Sequence, residues 1–193
     1  MLTIFVLSFT MTNPANTEAY RLLLETARLA IEQYLTGQPL NVPALDTNLN
    51  TSQGVFVTLW EPSKKLRGCI GRTQGITPTL TQEVAECAIM AATRDTRFTP
   101  LRDTLELQNL SIELSLLMPL EEISSTASLD PHRYGVVVMA GSKRGLLLPN
   151  VDGIETVEKQ LQIAKEKGKI DAHEECQLAR FEVLKITEQD APA

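Results

Sequence analysis

The most informative part of the sequence reads Gly54-Val55-Phe56-Val57-Thr58-Leu59-Trp60, then Glu61-Pro62-Ser63, then Lys65-Leu66-Arg67-Gly68-Cys69-Ile70-Gly71. The first run is rich in β-branched and aromatic residues, which favour a buried strand. The Glu-Pro-Ser sequence is typical of a turn, and it closes that strand. We therefore expect the segment that carries Cys69 to return beside the strand.

Cys69 stands between two glycines, which is an unusual setting for a cysteine. A structural cysteine is usually surrounded by large apolar residues, whereas glycines let the backbone approach other groups closely and can leave the sulfur accessible. Two interpretations follow. Cys69 is either a reactive thiol or a small filler where the glycines allow a tight passage and close helix packing.

Composition and charge limit the function classes. The chain has 193 residues, of which 43% are hydrophobic and 22% are charged, as in an ordinary globular protein. Its net charge of -6 argues against broad non-specific binding to nucleic acid, which requires an excess of Lys and Arg. Three widely spaced cysteines and two histidines favour a reducing, cytoplasmic location and predict no metal site.

The N-terminal residues 2–10 are apolar but do not resemble a signal or a membrane anchor. No basic residue precedes them, and the run is about half of the ~20 residues that span a bilayer. We expect Met11 to be the natural start. The predicted organisation is a disordered or mis-called tail at 1–15, a single domain at 16–188 and a short tail at 189–193.

Three segments have apolar residues at helical spacing, and we expect each to form a helix: Asn16 or Thr17 to Tyr34, Leu80 to Ala91, and Val157 to Ala164. Gly37 and Gly168 are candidate stop signals for the first and the third. Thr79 with Gln82 fits a capping box at the second, although Thr77 before Pro78 is an equally suitable start.

Period-two alternation is strongest from Leu110 to Met118, which predicts a strand with Glu113 on the face away from the apolar side chains. Val136–Met139 and Leu146–Leu148 are expected to form a hairpin joined by Gly141–Gly145. A final strand is expected to begin near Arg180. The order of elements predicts an α+β fold, a mainly antiparallel sheet flanked by helices, with a smaller subdomain.

Five segments give the chain a resemblance to the AMMECR-one domain family, whose bacterial and archaeal members are called AmmeMemoRadiSam system protein A. The resemblance covers about residues 16–188, and the hexapeptide of the second segment is highly specific to the family. In chain order the segments are Gly54–Leu59, Leu66–Gly71, Arg94-Asp95-Thr96-Arg97-Phe98, Ser111–Ser115 and Gly145–Pro149.

The resemblance implies a cytoplasmic α+β protein in which the hexapeptide and several polar residues meet in one cleft. It also implies Memo-type and radical-SAM partner proteins, because genes of these three kinds often accompany one another. Many relatives have a His-Gly pair where this chain has Tyr134-Gly135. His132 is the alternative source of an imidazole near that position.

Under the enzyme hypothesis, Cys69 and Glu113 are the catalytic residues. Cys69 is the nucleophile or a redox thiol, and Glu113 is an acid or base. Arg67 or Arg97 favours the thiolate and binds an anionic or carbonyl group. The substrate-binding set is Arg67, Gly68, Gly71, Arg97 and Tyr134. We expect the two arginines, Cys69 and Glu113 to line one cleft.

Other interpretations stay open. The same cleft can belong to a non-catalytic binding or scaffold module that recognises a protein, a peptide or RNA. Asp95 and Arg97 can form a structural ion pair beside Phe98, and Glu113 can lie on a solvated strand face. No glycine-rich phosphate loop is present in the sequence, so no nucleotide cofactor is indicated.

Overall fold

The structure is a computed structural model, and it describes residues 14–46 and 50–188. Four α-helices and eight β-strands lie in these two ranges. In chain order they are α1 Pro14–Leu35, β1 Val55–Trp60, β2 Leu66–Arg72, α2 Leu80–Thr93, α3 Thr104–Gln108, β3 Ser111–Leu117, β4 Glu121–Ile123, β5 Gly135–Ala140, β6 Lys143–Leu147, α4 Val157–Gly168, β7 Gln177–Phe181 and β8 Val183–Thr187. A single 3-10 turn covers Thr126–Ser128.

The chain divides into two compact units, and each holds most of one four-stranded sheet. The first unit ends at Leu114 and takes up the chain again at Ile186, while the second comprises Ser115–Lys185. The strand order is β2-β1-β3-β8 in one sheet and β4-β7-β5-β6 in the other. The chain therefore passes between the units within β3 and within β8.

The first unit is built on the hairpin of β1 and β2, which pair antiparallel. Val55, Val57 and Leu59 alternate along β1 and are fully buried. α2 packs on both strands and α1 packs on α2. Thr79 caps α2, because its side chain accepts a hydrogen bond from the backbone N–H of Gln82. The structure thus selects Thr79 from the two predicted starts.

The second unit has a core between α4 and the strands β5 and β6. Its buried members are mainly aliphatic: Leu129, Val136, Val138, Ala140, Leu147, Ile154, Ala164 and Ile170. The predicted five-residue hairpin loop is wrong, because Ala140 pairs with Lys143 and only Gly141 and Ser142 lie between the strands. Gly141 takes up a left-handed conformation at φ 55°, which a two-residue turn of this kind requires.

The predicted α+β class is confirmed, with antiparallel sheets and helices in both units. The single predicted sheet is replaced by two. α1 begins at Pro14, so the last two residues of the predicted tail 1–15 belong to this helix. Residues 1–13 and 189–193 lie outside the described residues. That the two units fold as one domain stays a prediction.

Candidate functional site

Cys69 lies on β2, which is an edge strand of its sheet. Its backbone N–H donates to Asp95 Oδ2 at 2.9 Å, and its carbonyl oxygen accepts from Arg97 Nη2 at 3.3 Å. Both backbone groups of Cys69 therefore point away from β1. The segment that contains Asp95 and Arg97 covers the open edge of β2 at this residue and replaces a missing neighbouring strand.

The Cys69 thiol lies beside Thr58, its cross-strand partner on β1. In such a pair, whose backbone groups point away from each other, the two side chains come close together. The hydroxyl Oγ1 of Thr58 donates to Cys69 Sγ at 3.3 Å. Thr58 is buried and Cys69 is half-buried, and the Thr58 hydroxyl gives the sulfur a polar partner.

Asp95 and Arg97 form the structural ion pair that the sequence predicted. Arg97 Nε donates to one carboxylate oxygen at 2.9 Å and Nη2 donates to the other at 2.7 Å. The guanidinium also lies 5.4 Å from the centre of the Phe98 ring. Arg97 holds the pKa of Asp95 well below its usual range, with a further contribution from the Cys69 N–H, and Asp95 raises the pKa of Arg97.

The two glycines of the hexapeptide are required because neighbouring backbone atoms lie too close to them for a side chain. A Cβ atom at Gly68 would overlap the carbonyl oxygen of Ala91 on α2, and one at Gly71 would overlap the backbone at Val55 and Phe56. This agrees with the interpretation in which the glycines permit tight packing. A role for Gly68 and Gly71 in substrate binding stays a prediction.

The guanidinium of Arg67 binds partners other than Cys69. Arg67 lies where the register of the hairpin shifts, between the pairs Leu59↔Gly68 and Trp60↔Leu66. Its guanidinium donates to Glu106 Oε1 at 2.8 Å and to the carbonyl oxygen of Thr99 at 2.7 Å. Arg67 thus ties the bulge of β2 to the segment that leads into α3.

Cys69 faces away from α2. Gly68 lies against α2, and Arg72 Nη1 pairs with Glu83 of α2 at 2.6 Å. Gly68 and Arg72 are an even number of residues apart on β2, so they share one face of the strand and Cys69 projects from the other. Thr58, as the partner of Cys69, projects from that same face.

Glu113 lines a cavity of about 290 Å³ together with Trp60. Trp60 is two residues beyond Thr58, so it projects from the same face of β1 as Thr58, the cross-strand partner of Cys69. β1 lies between β2, which carries Cys69, and β3, which carries Glu113. These two strands are therefore two strand spacings, or about 10 Å, apart. The catalytic role predicted for Glu113 stays a prediction.

Tyr134 belongs to the second unit, where two arginines stack on its ring. The guanidinium of Arg133 is 4.9 Å from the ring centre and that of Arg180 is 4.3 Å from it. Glu182 pairs with the first arginine and Glu121 with the second. His132 pairs with Glu155 at 3.2 Å. The substrate-binding role predicted for Tyr134 stays a prediction.

Sequence analysis missed a buried carboxylate on α2, Glu83, which is fully buried. It accepts hydrogen bonds from Arg72 Nη1 at 2.6 Å and from the backbone N–H groups of Ile76 and Thr77 at 2.8 and 3.0 Å. These contacts lower its pKa although burial acts to raise it. The signal was available, because Glu83 precedes Cys87 by four residues and thus stands on the predicted apolar stripe.

The two other cysteines have different surroundings. Cys87 is fully buried on α2, as predicted, and burial raises the pKa of its thiol to about 12. Cys176 is half-buried in the second unit. No group of three or more potential metal ligands occurs within residues 14–46 and 50–188. Across the same ranges no helix is both long and apolar enough to cross a bilayer.

The comparisons with known proteins agree with this fold and these motifs. A family profile for AMMECR1 matches residues 24–186. The chain belongs to the AMMECR1 family, the AMMECR-one domain family that the hexapeptide indicated.

Individual relatives come from bacteria and archaea. A Thermotoga maritima protein is 43% identical over 131 residues, which cover 67% of this chain and 75% of that protein. A Clostridium acetobutylicum protein is 38% identical over 169 residues, which cover 86% of this chain but only 36% of that longer protein. The crystal structure of an uncharacterized Pyrococcus horikoshii protein matches with a TM-score of 0.72 and 33% identity, covering 87% of this chain and 90% of that one.

Proposed function

We propose that this chain is a cysteine-dependent enzyme in which Cys69 is the nucleophile or redox thiol. The proposal is supported by a difference between the backbone and the side chain of Cys69. The backbone of Cys69 is fixed at both its N–H and its carbonyl group, while the residue is only half-buried and its sulfur accepts a hydrogen bond from the Thr58 hydroxyl. A nucleophile whose backbone is fixed and whose sulfur accepts a hydrogen bond is suited to attack a bound substrate.

Arg97 is the group that would bind the substrate in this proposal. More than half of its side chain is exposed, at 57%, although it contacts both Asp95 and the Cys69 carbonyl. The guanidinium has five N–H donors, so it can hold an anionic or carbonyl oxygen with those donors that the protein does not use. The substrate carbon would then lie above Cys69 Sγ, and Glu113 would transfer a proton at a more distant atom of the substrate.

The proposal also places the protein in the cytoplasm with Memo-type and radical-SAM partners. Its support is the family resemblance, together with three cysteines that are all free thiols. Affinity purification of the tagged chain from its native host tests the partnership. Recovery of both partners at levels that survive washing supports it, and recovery of neither contradicts it.

A non-catalytic binding module is the second candidate. One observation favours it: the polar groups of the site have structural tasks, since Asp95 and Arg97 cover the edge of β2 and Arg67 donates to Glu106. In that case the surface around Cys69 recognises a protein, peptide or RNA, and the thiol itself is dispensable.

Metabolite and RNA-modification profiles of cells that lack the gene separate the two candidates. The cells are complemented with the wild-type chain, with Cys69→Ser, or with Cys176→Ser as the matched half-buried control. An enzyme requires that wild type and Cys176→Ser restore the profile and that Cys69→Ser does not. Restoration by Cys69→Ser, with equal protein levels in all three strains, contradicts the enzyme proposal and leaves the binding module.

A further inference from the structure

A cavity of about 290 Å³ lies beside the turn between β1 and β2. All of its lining residues belong to the first unit: Trp60, Glu61, Pro62, Lys64, Ser111, Ile112, Glu113 and Thr187. The volume is near the lower end of small-molecule sites, which begin at about 300 Å³. It is therefore suited to one functional group of a ligand rather than to a whole cofactor.

The wall of the cavity includes an aromatic ring and two carboxylates. Trp60 is half-buried, and tryptophan is the side chain whose face attracts a cation most strongly. Glu61 enters from the turn and Glu113 from β3. Lys64 also lines the cavity, but its side chain is exposed and can extend into solvent. The Glu61 carboxylate and the face of the Trp60 ring both favour a cationic group.

Glu61 is held in place by the backbone of its own turn. Its N–H donates to the carbonyl of Lys65 at 2.9 Å, and its carbonyl accepts from the N–H of Lys64 at 2.8 Å. Lys64 adopts a left-handed conformation at φ 60° to close this turn. Among the residues that the structure describes, the half-buried carboxylate of Glu61 has no side-chain hydrogen bond or ion pair. The backbone of Glu61 is therefore fixed, and its carboxylate lacks a donor among those residues.

We propose that this cavity binds the guanidinium or ammonium group of an organic cation, with the cation stacked on Trp60 and hydrogen-bonded to Glu61. A guanidinium fits better than an ammonium, because it is planar, stacks on aromatic rings and donates two parallel hydrogen bonds to a carboxylate. The assignment does not depend on the reactivity of Cys69, so the two proposals can fail separately.

The fluorescence of Trp60 provides a direct test, since it is the single tryptophan of the chain. Nα-acetyl-arginine amide is titrated into the protein, and Nα-acetyl-citrulline amide, which replaces the guanidinium by an uncharged urea, is the matched control ligand. We expect a saturable change in Trp60 emission with the arginine compound and binding at least about tenfold weaker with the citrulline compound. Agmatine and an arginine-containing tripeptide, titrated in parallel, distinguish a free small molecule from a peptide as the source of the cation.

Two variants complete the test. Glu61→Gln keeps the shape of the side chain and removes its charge, and it should weaken binding of the arginine compound by about tenfold or more. Glu122→Gln, on the exposed strand β4, is the matched control and should bind like wild type. Equal binding of the arginine and citrulline compounds, unchanged binding by a folded Glu61→Gln, or no saturable change with any cation would each overturn the proposal.

Discussion

Asp95 accepts the backbone N–H of Cys69 across 2.9 Å, although the two residues are 26 positions apart in the sequence. The contact joins the hexapeptide strand to the segment Arg94–Phe98, which is the third of the segments that characterise the family. Since β2 is an edge strand, its outward N–H and carbonyl groups need partners that no strand supplies. Asp95 and Arg97 supply them at Cys69, so these two motifs form one structural unit.

Replacing Asp95 by asparagine should destabilise the fold. The amide cannot accept the Arg97 ion pair with the same strength, so we expect a loss of about 2 kcal/mol in the free energy of unfolding. Urea denaturation with an unchanged m-value measures the loss. Asp103→Asn is the matched control, because Asp103 caps α3 and asparagine caps a helix equally well. Equal stability of the two variants would contradict the role of Asp95.

The contribution of Asp95 should also depend on pH. Its pKa is lower in the folded chain than the ordinary value of 3.8, because Arg97 and two backbone N–H groups bind the charged form. A depressed pKa stabilises the fold above the ordinary value, and the stabilisation is lost as the pH falls towards the lower folded pKa. The difference in stability between wild type and Asp95→Asn should therefore be full at about pH 7 and shrink below about pH 4. A difference that does not change with pH would refute the ion-pair account.

Glu83→Gln should lower the free energy of unfolding more than Glu86→Gln does. Glu83 is fully buried and accepts from Arg72 and from two backbone N–H groups, so loss of its charge should cost about 3 kcal/mol. Glu86→Gln is the control, since Glu86 also pairs with Arg72 but is exposed and should cost less than about 1 kcal/mol. Amide hydrogen exchange should further show faster exchange at Ile76 and Thr77 in Glu83→Gln. Similar costs for both variants would contradict this assignment.

Gly68→Ala should lower stability more than Cys69→Ala does. The added methyl at Gly68 would overlap the carbonyl oxygen of Ala91, and a helix backbone cannot move aside as a flexible side chain can. We expect a cost of about 2 kcal/mol for Gly68→Ala, measured by thermal or urea unfolding. Cys69→Ala removes a half-buried side chain and should cost about 1 kcal/mol or less. A larger loss in the free energy of unfolding for Cys69→Ala than for Gly68→Ala would contradict the close packing of α2 on β2 at Gly68.

Local patterns in the sequence predicted the parts of the fold that depend on local chemistry. The helical spacing that ends in Ala91 predicted α2 and the burial of Cys87, whereas the choice between Thr77 and Thr79 as its start was left open. α3 was missed because five residues are too few to show a helical repeat. β4 was missed because both Glu121 and Glu122 are exposed, which leaves no alternation to recognise.

Contacts between distant residues could not be predicted in this way. Gly145 was expected to lie in a loop, but it belongs to β6, where it leaves room for the carbonyl oxygen of Ala164 on α4. In the site, the sequence predicted that Asp95 pairs with Arg97 but not that both hold the Cys69 backbone. No spacing rule links a strand edge to a loop 26 residues later, because the link arises only from tertiary packing.

The central claim is that Cys69 is the functional thiol, and alkylation of the three cysteines by iodoacetamide at about pH 7 tests it most directly. Peptide mass spectrometry follows each cysteine in the folded wild-type chain. Cys69 should react at least about tenfold faster than Cys176, which is also half-buried, because the sulfur of Cys69 accepts a hydrogen bond from Thr58. Cys87, whose pKa burial raises to about 12, should not react until the chain unfolds. Alkylation of Cys69 no faster than that of Cys176 would contradict the claim.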